Sequence, residues 1–492
     1  MKEAIEGLKP KSMWEHFYEL SRIPRCSREE EEVRDYIIKV AERNNLKHKM
    51  DQVGNLVVKK PAAKGLENKP VIVFQGHLDM VCEKNKDTKH DFKKDPIKLK
   101  REGDWLKADG TTLGSDNGIG VAAALAWMED KETKTGPLEF LFTIDEETGL
   151  TGARELSSDM LDGKILLNMD SEEDGALYIG CAGGKDAELF LSYESEKIPS
   201  GFEPVLIKIT GLMGGHSGLN IHEGRGNAIK LLNRFLWKAL PQVSGRLASI
   251  EGGSKHNAIP REAEAIIFLP KDKKSDLKKL VQEYNGIFKD EYKPIDPKVE
   301  LSMSESGFDV PEQMYTSQLH NRLLNLLYSL PHGVMAMSHA IEGLVETSTN
   351  LAVLSRKNDD LAILTSQRSS VGSELTEIHD MILACGYLAG AQVKSGGGYP
   401  AWKPNPDSSL LKRAKKVYKN LFGKEPEVKA IHAGLECGII GDKFPGMDMI
   451  SFGPTIMGAH SPDERVQIST VEKFWKFLDG LVKDISSQTV NV

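Results

Sequence analysis

Five short stretches set imidazole and carboxylate side chains among small residues. They are Gly76-His77-Leu78-Asp79, Gly114-Ser115-Asp116-Asn117-Gly118, Asp145-Glu146-Glu147-Thr148-Gly149, Asn168-Met169-Asp170-Ser171 and Gly458-Ala459-His460-Ser461-Pro462-Asp463-Glu464. Imidazole nitrogens and carboxylate oxygens are the donors that suit zinc and its neighbours. Two His and three carboxylates can hold two divalent cations that share one carboxylate. A further carboxylate left off the metals can take a proton from water. That is the chemistry of hydrolysis. Each stretch alone has a mundane reading: Asp116 as a helix N-cap, Glu146-Glu147 as a solvated turn, the His residues as structural hydrogen-bond partners. Together, most of them at strand or helix ends, they favour a dinuclear site.

The elements that must position these residues are also legible. Short apolar runs at 71–75, 138–144 and 165–169 mostly lack alternation, as strands covered on both faces do. An Ala-rich segment at 118–128 reads as a helix between the first two, giving an α/β layer architecture. Three motifs follow strand ends, where ligands gather in open α/β sheets, and Asp116 stands at a helix start. Ser27-x-x-Glu30 reads as a capping box opening a helix with Val33, Ile37, Val40 and Ala41 on one face. From about Lys185 the character changes. Strand-like runs such as 205–209 alternate with amphipathic helices such as 227–240 and 274–284. The Gly-rich stretch 395–398 and the Pro-rich stretch 400–406 read as a crossing back, followed by a helix capped at Asp407-Ser408. The expected organisation is a discontinuous catalytic domain, residues 1–184 and 396–492, interrupted by an inserted α+β lid at 185–395.

Composition bounds the rest. A length of 492 residues favours more than one core. Hydrophobic residues at 40% and charged residues at 28% describe an ordinary globular chain, and a net charge of -8 argues against nucleic acid or an anionic membrane as partner. The basic run 412–419 has helical spacing and reads as a solvated helix face. No apolar run approaches the ~18 residues of a membrane span, and no secretory leader is expected from Met1-Lys2-Glu3-Ala4-Ile5-Glu6. Cys26, Cys82, Cys181, Cys385 and Cys437 are scattered and odd in number, which predicts free thiols in a reducing cytoplasm, Cys82 being an inert structural one.

The order of the motifs resembles the dinuclear-zinc metallopeptidase family of aminoacylases, carboxypeptidases and dipeptidases. The resemblance rests on Gln75-Gly76-His77-Leu78-Asp79-Met80-Val81, Leu113-Gly114-Ser115-Asp116-Asn117-Gly118-Ile119-Gly120 and Gly214-Gly215-His216-Ser217-Gly218. Asn257-Ala258-Ile259-Pro260-Arg261-Glu262, Val345-Glu346-Thr347-Ser348 and His432-Ala433-Gly434-Leu435-Glu436-Cys437-Gly438 favour its dipeptidase branch. One departure is Ser338-His339, where that branch is expected to carry Ser-Asp.

The resemblance implies a mixed-sheet zinc-peptidase domain and an inserted lid. It implies that His77 and Asp170 bind one metal, Glu147 and His460 the other, and Asp116 both. Glu146 would be the general base and Asp79 would fix the tautomer of His77. Arg368 would receive the substrate's C-terminal carboxylate, and His216 would donate to the oxyanion. His216 and Asn257 fall in the lid, and Asn257, His432 and Glu436 are further substrate-binding candidates. The insert is roughly double a simple four-stranded lid, so His216 is expected to act within its own chain. Two divalent cations are implied, zinc with manganese or cobalt as alternatives. The implied substrate is a dipeptide with a free amino group, Xaa-His and β-Ala-His included, cleaved in the cytoplasm by a monomer or homodimer. The competing readings are an amidohydrolase of N-acyl amino acids and a non-catalytic binding paralogue.

Overall fold

The computed structural model describes residues 2–487. Its compact units are Met1–Gly180 with Pro404–Ala430 and Leu435–Val492, and Cys181–Lys403 with Ile431–Gly434. The crossing back thus falls at the Pro-rich stretch. The Gly-rich stretch is instead the end of an edge strand, Gln392–Tyr399, of the second unit. Residues 431–434, expected in the catalytic domain, go with the second unit. Ala182 N–H donates to the Ile431 and Ala433 carbonyls and draws them there.

The first unit is built on a mixed eight-stranded sheet among the described residues. Its order is Lys47–Met50, Leu56–Lys60, Leu138–Thr143, Ile72–His77, Ile165–Asn168, Asp448–Ser451, Ala176–Cys181, Glu427–Ile431. Ile72–His77 runs parallel to both neighbours and is buried throughout, which explains its unbroken apolar sequence. The helix Ser115–Glu129 is apolar all round because nearly every residue is buried. Phe74 meets Trp127 and Phe140 edge-on at 5.7 and 5.2 Å. A small sheet pairs Ile456–Met457, Arg465–Gln467, Trp105–Ala108 and Leu99–Glu102 in that order, so residues 458–464 form a hairpin loop.

Two sequence expectations change here. The helix Glu31–Arg43 does bury Val33, Ile37, Val40 and Ala41, but no side chain caps its start. Ser27 donates instead to Asp79 at 2.7 Å, and Glu30 accepts the Asp145 N–H at 2.9 Å. A distant acceptor engages Ser27 and a distant donor engages Glu30, which also takes the local Arg28 N–H at 2.9 Å, so the reciprocal capping box does not form. Cys26 and Cys82 form a disulfide, with Cα atoms 5.7 Å apart, and are not free thiols. A parallel backbone pairing of Cys26 with Met80 sets these segments side by side, although the two cysteines stand 56 residues apart in sequence, a proximity that spacing cannot reveal. No described helix is long and apolar enough to cross a membrane.

The second unit has a nine-stranded antiparallel sheet among the described residues. The path runs Glu300–Ser304, Phe202–Thr210, Ala263–Pro270, Arg246–Gly252, Val345–Lys357, Asp360–Ser369, Gly183–Ser192, Gln392–Tyr399, with Gly333–Met337 also on Val345–Lys357. Its core gathers Leu189, Ile207 and Ile267 from strands with Ile229, Phe235, Leu277 and Leu323 from helices.

Candidate metal centre

His77 ends a buried parallel strand and is 1% exposed. Its Nε2 lies 3.1 Å from Asp116 Oδ1 and 3.2 Å from Asp170 Oδ1. His460 Nε2 lies 3.2 Å from the other Asp116 oxygen, Oδ2, and 3.0 Å from Glu147 Oε2. Asp116 therefore offers one oxygen to each of two donor sets, His77 with Asp170 and His460 with Glu147. Within each set the donor atoms lie within 4.8 Å of one another, and Glu146 joins His77 and Glu147 in a third such group.

These residues fit a pair of cations. One imidazole N–H cannot serve two carboxylates at once, and two such conflicts share Asp116. Asp170 Oδ1 and Glu147 Oε1 are buried with no aligned hydrogen-bond donor among the described residues. Buried carboxylate oxygens without donors are costly unless a cation faces them.

The shell around these donors is equally specific. Asp79 is fully buried. Its oxygens face His77 Nδ1 at 3.3 Å and accept the Glu146 and Glu147 N–H groups at 3.0 and 3.2 Å. Burial opposes its charge, but the bonds from His77, Ser27 and the Glu146 N–H overcome that and hold its pKa at about 2. Asp79 thus anchors both the imidazole and the turn that carries Glu146-Glu147. Asp145 opens that turn with φ of 48° and accepts from the Thr148 and Thr151 hydroxyls. Burial pushes the Glu146 carboxyl well above the usual range; His77 works against this and Asp170, Glu436 and Glu147 add to it. That direction suits a proton acceptor working near neutral pH.

Two supporting residues had no sequence-derived role. Glu464 accepts the Leu113, Gly114, Ser115 and Asp116 N–H groups at 2.7, 2.9, 2.7 and 3.3 Å, and the Ser115 hydroxyl at 2.5 Å. Arg25 donates to the Leu78 and Asp79 carbonyls at 2.9 and 3.0 Å and to the Gly114 carbonyl. Gly114 has φ of 71°, and a Cβ there would meet Arg25 Nη2 at 2.5 Å. Only glycine lets the guanidinium reach this turn. Glu464 lay in the fifth motif, but nothing in the sequence links it to residues 113–116. Glu436, a substrate-binding candidate, has no exposed surface and accepts from Gln75 at 2.6 Å and Thr143 at 2.7 Å, behind the strand ends. Burial raises its pKa to about 7. It braces those strands and offers no exposed atom to a substrate.

The second unit gathers the remaining candidates. His216 lies on a two-residue strand, Gly215–His216, paired with Ala258–Ile259. The Gly218 and Leu219 N–H groups donate to its Nδ1 at 3.2 and 3.0 Å. Burial, with Arg368 nearby, lowers its pKa to about 4. The neutral ring must then carry its proton on Nε2, leaving that atom a donor. His216 and Asn257 line one cavity of about 650 Å³. Arg368 is 7% exposed, and among the described residues no carboxylate lies within ion-pair distance of it. His432, 6% exposed, meets Ser348 Oγ at 2.7 Å through Nε2.

Two donor sets that share one carboxylate, with a further carboxylate beside them, are the equipment of a metal-dependent hydrolase. A model of peptidase family M20/M25/M40 matches residues 73–484, and the chain belongs to that family. It is 42% identical over 484 residues to the cytosol non-specific dipeptidase of Escherichia coli, spanning 98% of this chain and 99% of the relative. It is similar to the aminoacylhistidine dipeptidase structure from Vibrio alginolyticus, with a TM-score of 0.91 and 42% identity over 98% of this chain and 99% of that one. In fold alone it is similar to aminopeptidase PepT from Bacillus cereus, at 14% identity and a TM-score of 0.56 over 98% and 100%.

Proposed function

We propose that the chain hydrolyses the peptide bond of dipeptides with a free amino group, Xaa-His and β-Ala-His among them. The observation that carries this is Asp116 divided between two donor sets with Glu146 beside them, in a chain 42% identical to a dipeptidase over nearly its whole length. His77, Asp116 and Asp170 would hold one divalent cation, and Asp116, Glu147 and His460 the other. Cations bound there would supply acidification of a water and polarisation of the scissile carbonyl. Zinc is the cation proposed, with manganese or cobalt as alternatives.

Glu146 takes the proton of the attacking water and returns it to the leaving amine. Asp79 keeps His77 oriented and the Glu146 turn in place. Arg368, a buried guanidinium without a carboxylate partner among the described residues, receives the substrate's C-terminal carboxylate in two-pronged geometry. His216 presents Nε2–H to the carbonyl oxygen as negative charge develops. Asn257 and His432 belong to the same substrate-facing group. A within-chain role is proposed for His216, and the sheet register places it in the same unit as Arg368. Its partner Ala258 accepts from Asn350, on the strand that also carries Ser348 opposite Arg368. The proposed compartment is the cytoplasm, as a monomer or homodimer.

The deciding experiment is hydrolysis of a dipeptide panel and of N-acetyl amino acids after reconstitution with defined metals. Cleavage of Ala-His and other dipeptides is expected. Cleavage of the N-acetyl compounds alone would assign an amidohydrolase instead.

A further inference from the structure

The strands of the second unit set one transverse row across the sheet. Ser348 is the register partner of Arg368, Arg368 of Gly184, and Gly184 of Tyr399. Register partners share a face. Gly184 has no side chain, so Arg368 and Tyr399 reach over it from either side and meet. Arg368 Nη1 donates to Tyr399 Oη at 2.8 Å. A Cβ at Gly184 would stand 2.7 Å from the tyrosine ring, and one at Gly434 would stand 2.8 Å from it. The ring therefore fills a slot between two glycines contributed by separate segments. That fit fixes where the hydroxyl sits. Among the described residues this hydroxyl is the one side-chain partner of the Arg368 guanidinium, whose Nε is buried without an acceptor.

We infer that Tyr399 is a positioning residue which sets the plane of the Arg368 guanidinium and so sharpens the preference for substrates ending in a free carboxylate. The inference rests on the proposed carboxylate-binding role of Arg368. A guanidinium binds a carboxylate through two parallel N–H groups only when its plane is held. The rest of the row supplies no second restraint: Ser348 is engaged with His432, and Gly184 has no side chain.

The test compares wild type, Tyr399→Phe, Arg368→Ala and the double variant on a dipeptide and its C-terminal amide. Phenylalanine keeps the ring in its slot, so melting temperature and metal content should match wild type. Tyr399→Phe should raise KM for the free-carboxylate dipeptide by roughly 3- to 10-fold, the net worth of one typical intramolecular hydrogen bond. It should leave kcat within about two-fold and the amide's kinetics unchanged. In the Arg368→Ala background the same change should have no further effect. If Arg368→Ala separates the two substrates and Tyr399→Phe does not, the inference fails while the role of Arg368 stands. If Arg368→Ala affects both substrates equally, the role of Arg368 fails and the inference with it. A Tyr399→Phe loss that is equal for both substrates, or that appears in kcat, also overturns it.

Discussion

At the residue scale the centre depends on two carboxylates with different duties. Asp116 gives an oxygen to each donor set, so Asp116→Ala should remove both tightly bound metals together. Elemental analysis checks this, and two retained metals would refute the bridging assignment. Glu146 belongs to the cluster but is not needed to complete either of the two sets that share Asp116. Glu146→Gln preserves size and removes the proton acceptor. It should keep the metals while kcat falls by roughly 10²–10⁴-fold, the usual range for a general base. Near-normal turnover at neutral pH would eliminate Glu146 from that role.

At the element scale the site is held by loops that other loops complete. The 458–464 hairpin loop supplies His460 and also Glu464, whose carboxylate gathers the backbone of residues 113–116 and so fixes where Asp116 points. Glu464→Gln replaces an acceptor with an amide whose NH₂ confronts backbone donors. It should weaken metal binding by roughly 10–100-fold, as loss of a residue supporting a metal ligand does elsewhere. Calorimetric titration of the metal-free variant measures it, and unchanged affinity would show that the turn holds without Glu464. The Cys26–Cys82 bridge ties the segment carrying Arg25 and Ser27 to the one following Asp79. Protein denatured without reductant should therefore titrate three thiols, Cys181, Cys385 and Cys437, and five after reduction. Five from the start would mean that the bridge is absent from the purified protein.

At the scale of the whole molecule, the proposed metal donors and the proposed substrate contacts lie in different compact units. His77, Asp116, Glu147, Asp170 and His460 belong to the first, and His216, Arg368 and His432 to the second. His216→Ala should therefore leave metal content unchanged while lowering kcat by roughly 10²–10³-fold, as removal of an oxyanion donor does. Mixing this variant with Glu146→Gln protein asks which chain supplies the histidine. The mixture should stay inactive if His216 serves its own chain. Recovered activity under conditions where subunits exchange would place it across a subunit boundary.

The five motifs, the buried strands and the Ala-rich helix, read at 118–128 and found at Ser115–Glu129, were legible in sequence. Their chemistry and burial are written in residue type and local order: strands covered on both faces lose alternation, and ligand side chains cluster where those strands end. The folded chain alone decided how partners distant in sequence divide their labour. Ser27 and Glu30 match a local capping pattern, yet Asp79 and the Asp145 N–H compete for them successfully. The Gly-rich stretch before Tyr399 looks like a linker because glycine disfavours strands, yet it pairs as an edge strand against Gly183–Ser192. Cys26 meets Cys82, and Glu464 meets residues 113–116, through juxtapositions that no local period encodes. Hydrogen bonds and disulfides form between whatever the chain's path brings together, and that path is set by the packing of both cores, not by the residues that profit from it.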